Sequence, residues 1–196
     1  MRCETVDSLM VVYKRVLHTT LIAAAMGMLV ACTGAPPGEL RVVDDFQLQR
    51  YLGQWYEIAR LDHRFERGLS NVTAEYSENP DGSIAVINRG YNVEKGEWEQ
   101  ATGRARFAGE SSQGALEVSF FGPFYASYNI VALDQDAYEW ALITGNNYNY
   151  LWILARQRDL AADTQARLVS MAEQAGFATD ELIFVDHQSD APVDAE

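Results

Sequence analysis

The chain has 196 residues, of which 48% are hydrophobic and 22% charged, and its formal net charge is −13. This length and composition predict one globular domain with a hydrophobic core. The negative charge, without any basic run, argues against nucleic acid and against electrostatic binding to an anionic membrane, because both favour clustered Lys and Arg.

Residues 1–31 are predicted to be a signal peptide. A short basic region precedes an apolar stretch that is too short to span a membrane and that ends in Leu-Val-Ala-Cys at residues 29–32. These four residues resemble the lipobox of bacterial lipoproteins, in which the cysteine is acylated, for example with palmitate, and becomes the mature N-terminus. The resemblance implies lipidation of Cys32 and, because Thr33 follows it instead of Asp, a lipid anchor in the outer membrane facing the periplasm. The alternative is a soluble, secreted and unlipidated protein cleaved near Ala25 or Ala31, in which Cys32 has no role.

Residues 32–43 are expected to be the lipidated N-terminus and an extended tether, since this part of the chain is rich in Pro and Gly. After signal removal Cys32 is the only cysteine, so no intramolecular disulfide can form. The folded domain is predicted over residues 44–187. Residues 188–196 are polar and acidic, and are expected to be a disordered tail.

Up to Arg156 the sequence predicts antiparallel β-structure. Short segments alternate between apolar and polar side chains and are separated by turn signals such as Asp81-Gly82 and Lys95-Gly96. The clearest segment places Leu116, Val118 and Phe120 on one face. About eight strands with one solvated face favour a closed barrel or a sandwich, and an eight-stranded barrel can be filled by side chains or hold one small ligand.

The strand over residues 98–107 is relevant to whether the barrel interior is filled or can hold a ligand. Its apolar face is made mostly of the small residues Ala101, Gly103 and Ala105, whereas aromatic residues on other strands provide large walls. A lining of this kind could leave a cavity.

One amphipathic helix is predicted after the β region, within residues 159–177. Leu168, Met171, Ala172 and Ala175 fall on one face at helical spacing, and Gly176 follows at a position where helices commonly stop. The next apolar run, ELIFVDH, could add a further strand beside the sheet.

Two motifs resemble those of the lipocalin family. Gly53-Gln54-Trp55-Tyr56 at the start of the first strand is similar to the family's G-x-W motif, and residues 151–156, LWILAR, are similar to its closing motif. The resemblance extends from about Asp44 to Val185. The family's middle motif is looser here, since only Asp134 and Tyr138 can be aligned with it.

The resemblance implies an all-β fold: an eight-stranded antiparallel up-and-down lipocalin β-barrel with one C-terminal α-helix packed outside. Trp55 is then expected across the closed end, with the Arg156 guanidinium stacked on its indole and Gly53 letting the chain enter the strand beneath it. These three residues are interpreted as a structural plug and not as a ligand site. The expected lipid-binding cavity above them is lined by Ala74, Tyr76, Asn88, Val118, Phe120, Tyr128, Ile130 and Trp152.

For each lining residue, a filled core is the alternative to ligand contact. Asn88 and Tyr128 are expected to supply the few polar groups that orient a head group. The orientation of Trp140 is left open, and Phe124 and Tyr125 at a probable barrel mouth are interpreted either as an apolar lip or as a self-packed turn. The charged loop over residues 62–68 is expected to be a solvated, salt-bridged loop and not an anion site.

These observations lead to the hypothesis of a non-enzymatic lipid carrier. The sequence contains no metal-ligand cluster, phosphate loop or nucleophile motif, so neither a metal nor a cofactor is expected. The expected ligands are fatty acids, phospholipids or lysophospholipids, stored or transported for membrane maintenance under stress. The alternative is a membrane-tethered structural or adaptor lipoprotein with a filled barrel. A homodimer is left open.

Overall fold

The computed structural model describes residues 34–187. Three of the sequence-based predictions lie outside these residues: the signal peptide, the lipidated Cys32 and the acidic tail. Among the residues described, no helix combines the length and the apolar character needed to cross a bilayer.

Eight antiparallel strands follow one another along the chain. They are β1 (Gly53–Arg60), β2 (Leu69–Glu78), β3 (Ile84–Asn92), β4 (Glu97–Phe107), β5 (Ala115–Phe121), β6 (Phe124–Leu133), β7 (Trp140–Thr144) and β8 (Leu151–Ala155). Each strand pairs with its neighbour in sequence, and β1 pairs with both β2 and β8. This pairing closes an up-and-down barrel and confirms the predicted fold class.

Two elements pack around the barrel as predicted. The helix α2 (Ala162–Gln174) buries Leu168 and Ala172 completely against the outside of the barrel. Its last turn is closed by amide hydrogen bonds from Gly176 and Phe177, with Gly176 at φ +97°, a conformation that glycine adopts without strain. A short strand β9 (Ile183–Phe184) follows a 3₁₀ turn (Thr179–Glu181) and pairs with the end of β1.

The apolar side chains form two cores. One lies inside the barrel and includes Trp55, Tyr76 and Ile130, and the other lies between the barrel wall and α2. Trp140 belongs to the second core, and the guanidinium carbon of Arg167 on α2 lies 4.5 Å from the centre of its ring. Trp140 therefore packs under the helix and not in the barrel interior.

The segment before β1 differs from the expected tether. From residue 34 onward it lies against the barrel: the Val43 amide donates to the Ile130 carbonyl, and the Gly114 amide donates to the Val43 carbonyl. Leu40 packs with the outer core. A short helix, α1 (Leu48–Tyr51), then leads into β1. The Leu40 and Val43 side chains supply apolar contacts that the Pro- and Gly-rich composition does not suggest.

Candidate functional site

One end of the barrel is closed around Trp55, which is fully buried. The guanidinium carbon of Arg156 lies 4.0 Å from the centre of the Trp55 ring, within the range of a cation–π contact. The same guanidinium donates to the backbone carbonyls of Gln54, Arg50 and Tyr138 at 2.8, 2.7 and 3.3 Å. One side chain thus joins three chain segments beneath the interior.

Gly53 enters β1 at φ +89°, a left-handed conformation that side chains with a Cβ rarely adopt. A Cβ at this position would meet Arg156 Nη1 at 3.6 Å, an ordinary contact distance. The glycine is therefore required by the backbone conformation and not by lack of space.

Tyr138, from the loosely matched middle motif, also lies at the closed end. It is buried at φ +58°, its hydroxyl accepts a hydrogen bond from the Gln47 amide at 3.0 Å, and the guanidinium carbon of Arg50 lies 4.2 Å from its ring centre. Its amide donates to the Asp134 carbonyl at 2.7 Å. The aligned Asp and Tyr are sufficient to build this turn.

The eight residues expected to line a cavity all face the barrel interior. Ala74, Tyr76 and Ile130 are buried in the interior core, while Val118, Phe120, Tyr128 and Trp152 pack against it and are only partly buried. Asn88 pairs with Ala74 across β2 and β3, which places both side chains on the same face. Because the partly buried side chains point inward, their remaining exposure is toward the interior and its mouth.

The face of β4 that carries small residues, among them Gly103, does not border empty space along its whole length. A Cβ placed on Gly103 would lie 2.8 Å from ring atoms of Phe120, so the Phe120 ring occupies the place that a larger residue at 103 would need. Part of the room suggested by the sequence of β4 is therefore filled by its neighbour.

Three tyrosine hydroxyls meet above the Trp55 floor. Tyr128 Oη lies 2.7 Å from Tyr51 Oη and 2.9 Å from Tyr76 Oη. Burial raises the pKa of all three hydroxyls, so they are protonated at neutral pH. Three hydroxyl protons serve two hydrogen bonds, which leaves one proton for an oxygen acceptor.

Asn88 adds a second polar group to this interior. Its side-chain oxygen is buried and has no hydrogen-bond partner among the described residues. A buried carbonyl oxygen without a partner is costly unless a donor reaches it. Asn88 and the tyrosine hydroxyls therefore offer one acceptor and one donor among the apolar side chains of the barrel interior.

Near the open end the structure contains a buried charged cluster that the sequence did not lead us to expect. Arg60 Nη1 donates to Glu57 Oε1 at 2.7 Å, and Arg60 Nη2 donates to the Glu66 carbonyl at 2.7 Å. Glu57 and Glu66 are both buried beside Arg60. His63 Nε2 lies 2.9 Å from Glu66 Oε2, which also accepts a hydrogen bond from Trp152 Nε1 at 3.1 Å.

The pKa values of the two buried carboxyl groups are shifted in opposite directions. Burial, followed by the negative charge of Glu66, raises the pKa of Glu57 well above its usual range. Burial opposes ionisation of Glu66 as well, but its hydrogen bonds with His63 and Trp152 and the charge of Arg60 lower the pKa of that group. The environment therefore favours a proton on Glu57 over one on Glu66, with the Arg60 guanidinium as the neighbouring positive charge.

The loop between β1 and β2 contributes to this cluster. Its outer side matches the expected salt-bridged loop, since Arg67 and Asp62 form an exposed ion pair. Its inner side does not, because His63 and Glu66 are buried. One residue in the sequence could have indicated this buried cluster. Glu57 comes two residues after Trp55 and therefore lies on the same inward face of the strand. A charged residue there requires a buried partner.

The arrangement offers polar recognition but no evident metal site. Among residues 34–187 no group of three or more His, Cys, Asp or Glu side chains is placed to hold a metal ion. The interior combines an apolar wall, a hydroxyl donor, an amide acceptor and an acidic pair. Binding sites for amphiphilic small molecules are built from such groups.

Comparisons with known proteins agree with this architecture. A family model described as a lipocalin-like domain matches residues 46–187. The chain is 49% identical over 161 residues to the "Outer membrane lipoprotein Blc" of Vibrio cholerae, covering 82% of this chain and 94% of that protein. It is 46% identical over 172 residues to the protein of the same name from Escherichia coli K12, covering 87% and 97%.

A solved structure shows the same fold at lower identity. Insecticyanin from the tobacco hornworm Manduca sexta superposes with a TM-score of 0.66 at 21% identity, covering 80% of this chain and 89% of that one. The two bacterial relatives support an outer-membrane, lipid-anchored location. The chain belongs to the lipocalin family.

Proposed function

We propose that this lipocalin is a non-enzymatic carrier that binds a fatty acid or a lysophospholipid inside its barrel, for storage or transport during membrane maintenance. The observation that carries the proposal is the half-buried inward set Val118, Phe120, Tyr128 and Trp152 above a floor sealed by Trp55. An acyl chain would cover these side chains. The eight interior residues named above are the proposed contacts.

The energetics of an acyl chain suit such a site. Burying one methylene contributes about 0.8 kcal/mol, so about ten methylenes match the roughly 8 kcal/mol of a micromolar Kd before the costs of association. No catalytic step is needed. The free hydroxyl proton of the Tyr51–Tyr128–Tyr76 cluster and the Asn88 oxygen would orient the polar end of the ligand.

The test is a titration of delipidated protein with a fatty acid and a lysophospholipid, followed by native mass spectrometry and fluorescence. Phe120→Ala should weaken lipid binding about tenfold or more, because it removes part of the apolar wall. Thr102→Ala, on the outward face of the neighbouring strand, is the matched control. Failure of the delipidated protein to take up either lipid would contradict the proposal.

A filled barrel is the second candidate, and one observation favours it: the Phe120 ring already occupies the space beside Gly103. In that case the chain would be a structural or adaptor lipoprotein without a ligand. Phe120→Ala would then lower the free energy of unfolding by about 3–5 kcal/mol with no binding to lose. Measuring both quantities on the same variant separates the two candidates.

A further inference from the structure

We propose that the open end of the barrel docks onto the same lipid leaflet that holds the acyl anchor, so that the mouth faces the membrane. This inference rests on lipidation at Cys32 and is independent of which lipid the interior binds. The surface concerned, here called the rim, comprises residues 61–68, 93–96, 121–125 and 145–150.

The rim contains most of the large apolar side chains that the described structure leaves exposed. Phe121 and Phe124 are the most prominent, at 83% and 79% exposure. The other rim members are Phe65, Val93, Tyr125 and Tyr148. All four connections at this end of the barrel therefore present at least one of them.

The opposite end differs in character. Among the described residues, its three strand connections, 79–83, 108–114 and 134–139, carry none of the exposed large apolar side chains. The two that remain, Ile183 and Phe184, lie on β9 beside Ala59 and Arg60 at the end of β1 nearest the rim. Exposed apolar surface is thus concentrated at one end of the molecule.

The formal charge also differs between the two ends of the barrel. The rim has three acidic residues and three basic ones, so its formal charge is zero. The three connections at the opposite end have five acidic residues and no basic one. The net negative charge that disfavours a membrane surface therefore lies away from the rim, where docking would depend on apolar and aromatic contacts.

The start of the described chain lies near the same end. The Gly34 carbonyl accepts a hydrogen bond at 2.9 Å from Asn129 Nδ2, which also donates to the carbonyl of Gly145 on the rim. A Cβ on Gly34 would lie 3.6 Å from the Ser127 hydroxyl. Ser127 follows the rim residue Phe124 by three strand positions, a separation of about 10 Å.

Chain length then limits the position of the anchor. Cys32 precedes Gly34 by two residues, so their Cα atoms can be at most about 7 Å apart. An acyl chain on Cys32 and the Phe121–Phe124 turn can therefore reach one leaflet together. Docked in this way, the barrel would exchange a lipid with the bilayer without the acyl chain crossing water.

The experiment uses the full lipidated protein in vesicles of phosphatidylethanolamine and phosphatidylglycerol. Phe124→Cys introduces a thiol on the rim, and Glu110→Cys introduces one in a turn at the opposite end as the matched control. Each is labelled with an environment-sensitive fluorophore, and a phospholipid carrying a nitroxide high on its acyl chain serves as the quencher. Val93→Cys provides a second rim position if Phe124→Cys does not fold.

We expect several-fold stronger lipid quenching and a blue-shifted emission at the rim positions relative to position 110. Equal quenching at the two ends would overturn the proposal. So would a blue shift at 124 that depends on protein density and not on the quencher lipid, because a second copy of the chain would then cover the rim. Lipid uptake is measured on the same samples. Uptake without preferential quenching at the rim would contradict membrane docking alone, whereas loss of uptake would contradict the carrier function.

Discussion

Arg156 makes more contacts at the closed end than the family motif alone implies. Its guanidinium stacks on Trp55 and donates to three backbone carbonyls, while the Trp55 indole nitrogen donates to the Tyr51 carbonyl at 2.8 Å. We therefore expect Arg156→Ala to lower the free energy of unfolding by about 2–3 kcal/mol in urea titrations.

Arg156→Lys should recover only part of this loss, because an ammonium group cannot stack and donate in three directions at once. Arg158→Ala is the control, since Arg158 lies 5.7 Å from the Tyr56 ring and is exposed. Equal stability of the Arg156→Ala and Arg158→Ala variants would argue against a closing role for Arg156.

The Glu57–Glu66 pair predicts a specific pH dependence. The pKa of Glu57 is higher in the folded state than its ordinary value of 4.5, so its stabilising contribution is complete below that pH and is lost as the pH rises through the folded-state pKa. Glutamine resembles neutral Glu57 and cannot ionise. We expect Glu57→Gln to match the wild type near pH 5 and to gain stability relative to it as the pH rises.

Unfolding titrations between pH 5 and pH 9 measure this difference. Glu75→Gln, at an exposed position of β2, is the matched control and should show no comparable trend. If the Glu57→Gln variant kept a constant offset from the wild type over this range, a raised pKa at Glu57 would be refuted.

These residues also show where inference from the sequence stops. The resemblance to the family motifs placed Trp55 and Arg156 together at the closed end, and the structure puts them in contact. Glu57 lies on the same inward face, but its partners Arg60, His63 and Glu66 depend on a β-bulge in β1 and on a loop folded over the mouth. Alternation cannot predict either feature, because both depend on tertiary packing.

At the scale of elements, strands and the C-terminal helix were predictable because period-2 and period-3.6 patterns are local. The short helix α1 and the packed segment over residues 34–43 were not, since they have too few residues for periodicity and are held by contacts with distant strands. The small face of β4 suggested more space than exists, because the Phe120 ring of β5 fills part of it.

Asn129 provides a test of the packed N-terminal segment. It is buried and its amide group joins Gly34 to Gly145, so Asn129→Ala leaves two backbone carbonyls without this donor. We expect a loss of about 1–3 kcal/mol and faster amide hydrogen exchange within residues 34–43. Ser127→Ala, on the same strand, is the control, and unchanged exchange in the Asn129→Ala variant would contradict this role.

At the scale of the whole molecule, two attachments of different strength are expected to hold the protein at the membrane. Rim residues such as Phe121 and Phe124 can be in contact with lipid only at a shallow depth, which gives reversible binding. Acyl chains on Cys32, the proposed site of lipidation, would bury many more methylenes, each worth about 0.8 kcal/mol. The anchor should therefore determine whether the protein stays, and the rim how it is oriented.

Cys32→Ala separates these two contributions. The variant keeps the rim and loses the acylated residue, so we expect it to move from the membrane fraction to the periplasmic fraction of cells. Phe124→Ser keeps the anchor and should remain with the membrane, although it should weaken the contact at the mouth. Fractionation followed by immunodetection measures both. Retention of Cys32→Ala at the wild-type level, in a chain from which residues 1–31 have been removed, would show that the rim, and not acylation, holds the protein in place.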